Sequence, residues 1–350
     1  RGIDRINCLN ALSYEFQYYE FSGNRDNKLK GDSINHYAML ANNEAKKIDY
    51  KYGIALSLIY LATSEQYRGN LTDFEKYIQQ AGALAENIQN DKLLGKVYMF
   101  RGSIESGKKN DSLFLALTKK AFQYFEKAGD IEGQTEAASW LCIGYSSIGK
   151  YEEGLEYCHK SFAAAQRRMV TNKAWGDFLA QFSFRNLADL YKTVGDYETA
   201  LDYYRQGFQY AKKYNFKWNM EGEMGEMFYQ TGKYDSSLFY LQRSIKDSDP
   251  KKIWVKTTQG KIYLMRKEYD KALILFKENL DRAEKNNQIS SNEKRVYLWG
   301  NSFLAGKALE GKKKFKDAVK FARQSASVAD ERRQWQWRID SYELLSNIFH

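Results

Sequence analysis

One recurring phrase constrains what this chain can fold into: Leu187-Ala188, then Leu190-Tyr191, then Gly195-Asp196-Tyr197-Glu198-Thr199-Ala200, then Tyr203-Tyr204 and Gly207. Large, small and aromatic residues fall at helical spacing before Gly195 and again after it, so the phrase reads as helix, turn, helix. Gly195 stands where the first helix must end, a position that favours a left-handed backbone. The small Ala200 lets the second helix approach the first. Further copies are Leu141, Tyr145 and Gly149-Lys150-Tyr151-Glu152-Glu153-Gly154; Met224-Gly225, Phe228 and Gly232-Lys233-Tyr234-Asp235-Ser236-Ser237; Gly260, Tyr263, Lys267-Glu268-Tyr269-Asp270-Lys271-Ala272 and Phe276; and Ala305-Gly306, Leu309 and Lys313-Lys314-Phe315-Lys316-Asp317-Ala318. Weaker copies run through Leu61-Ala62 with Gly69-Asn70-Leu71-Thr72-Asp73-Phe74, and Gly102 with Ala121-Phe122. Such hairpins bury their apolar faces only by stacking on their neighbours. The single proline in 350 residues agrees with long helices and short connections.

These residues resemble the tetratricopeptide repeat, with its small residue in a first helix, an aromatic a few residues on, and Gly-Asp-Tyr-x-x-Ala across the turn. The resemblance implies an all-α, right-handed superhelical solenoid of about eight hairpins. One solenoid is expected over 1–350: a degenerate pair at 1–52, weaker repeats at 53–134, clear repeats at 135–330 and the start of another at 331–350. The turn positions Gly149, Gly195, Gly232, Lys267 and Lys313 are spaced unevenly, two units being longer than the family's standard length. The extra length is expected at 172–182 and 286–296, in helices that project beyond the stack.

No metalloprotease, nucleophile-elbow, EF-hand or dinucleotide motif occurs, so no catalytic residue, cofactor or metal is expected. Gly144-Tyr145-Ser146-Ser147-Ile148-Gly149-Lys150-Tyr151 has phosphate-loop spacing, but Tyr151 replaces the magnesium-binding hydroxyl and no strand precedes it. Cys8, Cys142 and Cys158 have no metal-ligand spacing and read as thiols in helix interfaces. His159 reads as solvent-facing, and the sequons at Asn70 and Asn110 are assigned no glycan. No apolar run is long enough for a membrane span. The first residue is not Met and the last lie within a helical pattern, so the chain reads as part of something longer.

The charge is uneven. Residues 251–340 hold 22 Lys and Arg against 11 Asp and Glu, whereas the first 250 residues are neutral overall. This admits an acidic partner at the basic end or a solvated outer face there, with Lys312-Lys313-Lys314 at a turn. Nucleic acid is not the expected partner, since no broad aromatic-basic stripe is present. Arg332, Arg333, Trp335, Trp337 and Arg338 form the one aromatic-basic cluster, and they also suit a packing helix.

Groove-facing positions carried over from the tetratricopeptide family are Ser139, Ile143, Arg185, Asp189, Lys192, Asn219, Glu226, Tyr229, Trp254, Thr257, Lys261, Phe303 and Lys307. Their mixture of aromatic, polar and basic side chains suits a protein or peptide partner. The Lys and Asn clamp by which some family members hold a terminal carboxylate is not reproduced, because acidic Asp189, Glu223 and Glu226 stand nearby. Residues 4–15 and 41–55 further resemble tetratricopeptide sensor regions of Bacteroidetes-type signalling proteins. That resemblance implies a sensing module joined to a histidine kinase or DNA-binding output, in the periplasm. A free-standing scaffold and a cytoplasmic location stay open as alternatives.

Overall fold

The computed structural model describes residues 2–18, 27–213, 220–244, 253–286, 289–332 and 334–349. The described residues form seventeen helices: α1 (Gly2–Tyr18), α2 (Asn27–Lys47), α3 (Lys51–Arg68), α4 (Leu71–Asn87), α5 (Asp91–Gly107), α6 (Asp111–Lys127), α7 (Ile131–Ser147), α8 (Tyr151–Thr171), α9 (Lys173–Val194), α10 (Tyr197–Lys213), α11 (Glu221–Gln230), α12 (Tyr234–Ser244), α13 (Ile253–Met265), α14 (Tyr269–Lys285), α15 (Ser291–Gly311), α16 (Phe315–Arg332) and α17 (Trp335–Phe349). The all-α class holds, as do eight hairpins followed by one further helix. The chain forms two compact units, Arg1–Val194 and Gly195–His350.

The turns set the register. One residue in the left-handed region ends a helix at Asp49, Gly69, Gln89, Lys109, Gly129 and Gly149, six positions spaced by 20. The next residue starts the following helix. Gly69 N–H donates to the Gln66 carbonyl and Asn70 N–H to that of Glu65, which satisfies carbonyls left open at the end of α3. Asn70 then caps α4 by accepting from the Asp73 backbone N–H, and Asn90 and Asn110 cap α5 and α6 in the same way. These caps occupy the two sequon asparagines, Asn70 and Asn110. Gly195, Gly232, Lys267 and Lys313 carry the same positive φ, at the turn positions expected from the repeats.

Packing follows from this register. In Arg1–Val194 each odd-numbered helix touches the next odd-numbered one, α1 with α3, α3 with α5, α5 with α7 and α7 with α9, and α11, α13, α15 and α17 do the same in Gly195–His350. Extended contacts of that kind are absent between successive even-numbered helices among the described residues. Within each unit the odd helices therefore crowd together on the inner side while the even ones fan out. Close approach depends on glycine. The fully buried Phe125 ring of α6 lies against both Gly95 of α5 and Gly133 of α7, and a Cβ on Gly133 would meet the ring at 2.3 Å. Phe276 of α14 lies against Gly260 of α13 in the same manner.

A second bond ties the odd and even helices. Ser161 of α8 bonds Ser139 of α7 at 2.9 Å and Ser183 of α9 at 2.7 Å. Asn279 of α14 donates to Thr257 of α13 at 3.0 Å and to Asn301 of α15 at 3.1 Å. Both clamps use residues 22 apart in sequence on three successive helices, and Ser161 and Asn279 are wholly buried.

The first region of extra length is shared between α8 and α9, which only Asn172 separates; its side chain accepts from the Trp175 N–H. The second lies partly outside the described residues and otherwise at the start of α15. Ser290 and Glu293 form a capping box there, an N-terminal signal that the repeat pattern does not reveal. Cys142 and Cys158 are buried face to face across α7 and α8, with Cα atoms 5.1 Å apart, within disulfide range. Cys8 is exposed on α1 rather than set in a helix interface. No helix among the described residues is long and apolar enough to cross a membrane.

Two substitutions test this packing. Gly133→Ala gains little helix propensity in a first turn and forces the Phe125 ring to move, so it is expected to lower unfolding free energy by about 1–2 kcal/mol. In urea denaturation, adding Phe125→Leu should recover part of that loss, as a coupled pair does. Lys109→Gly removes a left-handed penalty of roughly 1–2 kcal/mol and adds about 0.5–1 kcal/mol of glycine backbone entropy. A small rise in melting temperature is the expected outcome.

Candidate functional site

The regular register of α3, α5 and α7 places residues 40 apart at equivalent positions on the inner side. Tyr60, Phe100 and Trp140 form one such row, Ile59, Met99 and Ser139 a second, and Thr63, Ser103 and Ile143 a third. With Lys96, Glu136 and, from α1, Tyr14, most of these residues line a cavity of ≈ 140 Å³. Tyr14 reaches from α1 to α7, where its hydroxyl donates to Glu132 Oε2 at 3.2 Å. Glu132 also pairs with Arg168 of α8 at 2.9 Å. The Lys96 ammonium lies 5.8 Å from the centre of the Tyr14 ring.

Electrostatics inside this cavity are unusual for a repeat groove. Burial strongly raises the pKa of the Tyr60 hydroxyl, and the carboxylates of Glu132, Asp130 and Glu15 push it further up, so Tyr60 stays neutral. Glu136 is open to solvent within the concavity but is crowded by the surrounding helices. That burial is the leading cause of its raised carboxyl pKa; Lys96 opposes the shift, and Asp130 and Glu132 add to it.

The positions carried over by family resemblance behave differently from one another. Ile143 is 54% exposed, in line with Thr63 and Ser103. Ser139 turns its hydroxyl into the serine clamp. On α9, Asp189 lies between Arg185 at 3.7 Å and Lys192 at 3.1 Å, a half-exposed cluster whose members hold one another. In Gly195–His350, Glu226 accepts from Thr258 at 2.6 Å and from Gln230 at 2.9 Å. Lys261 lies 5.9 Å from the centre of the Tyr229 ring. Trp254 packs over Gly222, and Thr257 belongs to the Asn279 clamp. Phe303 stacks on Trp299, which stacks on Trp337 at 4.4 Å, while exposed Lys307 lies 5.0 Å from the Phe303 ring centre. Asn219 lies outside the described residues.

A family model described as tetratricopeptide repeat matches residues 183–207, spanning the phrase on which the sequence reading began. That segment matches the tetratricopeptide repeat. Solved structures of tetratricopeptide proteins share the fold over most of the chain. The apo form of RapI matches with a TM-score of 0.67 at 13% identity, over 99% of this chain and 97% of that one. A Rap protein complexed with Competence and Sporulation Factor matches with a TM-score of 0.54 at 17% identity, over 99% and 97%. A Signal Transduction ATPase with Numerous Domains from Pyrococcus horikoshii, which has a tetratricopeptide repeat sensor, matches with a TM-score of 0.57 at 13% identity, over 93% of this chain and 53% of that one. At these identities the likeness is one of fold. No curated protein matches by sequence.

The remaining sequence candidates have structural roles in the repeats. Gly144 of the phosphate-loop look-alike lies against Phe114 and Leu115, and Gly149 is the left-handed turn residue. Trp337 packs on Trp299 and Arg338 pairs with Asp330, while Trp335 is 72% exposed. The side chain of Arg332 and all of Arg333 lie outside the described residues. Lys313 of the lysine run is itself a turn residue.

The raised Glu136 pKa makes a signed prediction. A folded pKa above the unfolded one favours the protonated folded state, so this contribution is present below the unfolded pKa and is lost as pH rises through the folded value. Glu136→Gln should therefore melt at or above the parent temperature at pH 7. The difference should vanish as pH falls below the ordinary carboxylate range.

Proposed function

We propose that the chain is a non-catalytic protein- or peptide-binding tetratricopeptide module. An extended segment lies along the inner face formed by the odd-numbered helices. The observation that carries this reading is the row Tyr60, Phe100 and Trp140, which repeats every 40 residues beside a cavity with polar walls. Aromatic side chains at regular intervals supply anchors, and the polar groups between them supply hydrogen bonds for a peptide backbone. The fold it shares with a Rap protein complexed with Competence and Sporulation Factor supports a ligand-binding role for this kind of fold. Exposed Ile143 and Lys307 and half-buried Tyr229 and Lys261 extend the same kind of lining along the inner faces of their own units.

We further propose that this module is the sensing region of a larger signalling protein. Its fold likeness to a signal-transduction ATPase with a tetratricopeptide repeat sensor supports that reading. An output domain encoded beyond His350 is expected; a stop codon after at most one more helix would overturn the sensor reading and leave a scaffold.

Binding is tested by fluorescence polarisation of the chain against a random peptide library. Trp140→Ala should weaken the selected peptides roughly thirtyfold, as loss of a central aromatic anchor does. Peptides that bind Trp140→Ala, Arg185→Ala and Trp254→Ala as tightly as the parent would sink the groove assignment.

A further inference from the structure

Several polar side chains in and beside the cavity of Arg1–Val194 already have partners. Thr63 donates to the Ile59 carbonyl at 3.1 Å and Ser103 to that of Phe100 at 2.8 Å, each turned back on its own helix. Tyr14 donates to Glu132, Glu132 pairs with Arg168, and Asp130 pairs with Lys92 at 3.4 Å. Beside the neutral amides of Gln17 and Gln66, two further lining groups have no partner among the described residues. Among the described residues the Glu136 carboxylate has neither an ion pair nor a hydrogen bond, and the Tyr60 hydroxyl, on a residue only 6% exposed, has no hydrogen bond. Both line the cavity.

Glu136 faces the solvent of the cavity and Tyr60 is a buried residue whose hydroxyl opens on it, so a ligand that supplies a partner to both gains interactions that the protein itself does not make. The two groups ask for the same chemistry. A carboxylate accepts from a donor and attracts positive charge, and the rings of Tyr14, Phe100 and Trp140 around it present faces that attract a cation. Lys96 already demonstrates this, holding its ammonium over the Tyr14 ring without pairing with Glu136. The field agrees, for carboxylates alone among charged groups act on Tyr60, with no cation opposing them. The cavity, of ≈ 140 Å³, is many times the roughly 10–15 Å³ that one water needs on the same measure, room for a side chain rather than a folded element.

We propose that this cavity is a subsite for one cationic side chain, the guanidinium or ammonium of a bound peptide. Its charge lies against Glu136, a donor of the same group meets the Tyr60 oxygen, and its methylenes lie between Phe100 and Trp140. The assignment rests on the peptide-binding reading above and gives that reading a sequence preference: the ligand carries Arg or Lys at the position that enters this cavity.

The test uses two small probes that differ in charge and not in shape, Nα-acetyl-arginine methyl ester and Nα-acetyl-citrulline methyl ester, titrated by NMR into the 350-residue chain. The arginine ester is expected to bind at least tenfold more tightly, the usual order for a hydrogen bond to a charged partner. Glu136→Gln, whose fold is checked by circular dichroism, should abolish the difference, and Lys96→Met should preserve or enlarge it. Equal binding of the two probes, discrimination that persists in Glu136→Gln, or a Lys96-dependent preference for Nα-acetyl-glutamate methyl ester would each overturn the proposal. The peptide library separates this failure from that of the broader reading. Peptides bound through Trp140 with no basic preference sink the subsite alone. Glu136-dependent binding of the arginine ester, with no peptide bound, sustains the subsite and sinks the peptide.

Discussion

A single left-handed residue followed at once by the start of the next helix is the device on which the rest of the structure depends. It reverses the chain in the least length that satisfies the carbonyls ending one helix and the N–H groups opening the next. Used at both ends of each helix from Asp49 to Gly149, it holds the helices at nearly constant length. Constant length makes every second helix equivalent. Residues 40 apart then arrive at the same height on the inner side, and a row such as Tyr60, Phe100 and Trp140 becomes a continuous surface.

The core keeps that register by pairing rings with glycines. Phe125 seats between Gly95 and Gly133, so an even-numbered helix is locked to the odd helix on either side of it, and Phe276 against Gly260 repeats the contact in Gly195–His350. The polar clamps at Ser161 and Asn279 add direction, because their hydrogen bonds are made only when three successive helices are in step. These buried polar links also explain why two positions expected to face a ligand, Ser139 and Thr257, have hydroxyls bonded inside the protein.

The inner cavity of Arg1–Val194 follows from the same geometry. Helices packed closely enough to meet on their inner sides crowd any charge placed there, and Glu136 is held in that position with neither an ion pair nor a hydrogen bond among the described residues. The half-exposed ion pairs on α9 have each other and water, and pairs of that kind contribute little to either stability or affinity.

Much of this was legible in the amino acids. The phrase around Gly195, with its copies at Gly149, Gly232, Lys267 and Lys313, determined the hairpins, their turns and the all-α class, because helical periodicity and turn chemistry are local properties. The strict period of Arg1–Val194 was obscured, since Gln89 and Lys109 occupy left-handed positions where glycine is the usual marker. The groove positions legible in the sequence accordingly begin at Ser139 and leave out Tyr60, Lys96, Phe100 and Glu136. Tertiary structure alone decided which of the inner residues bond inward and which stay open. Whether a hydroxyl, a carboxylate or a thiol such as Cys142 finds a partner depends on helices distant in sequence, and no local pattern encodes that distance.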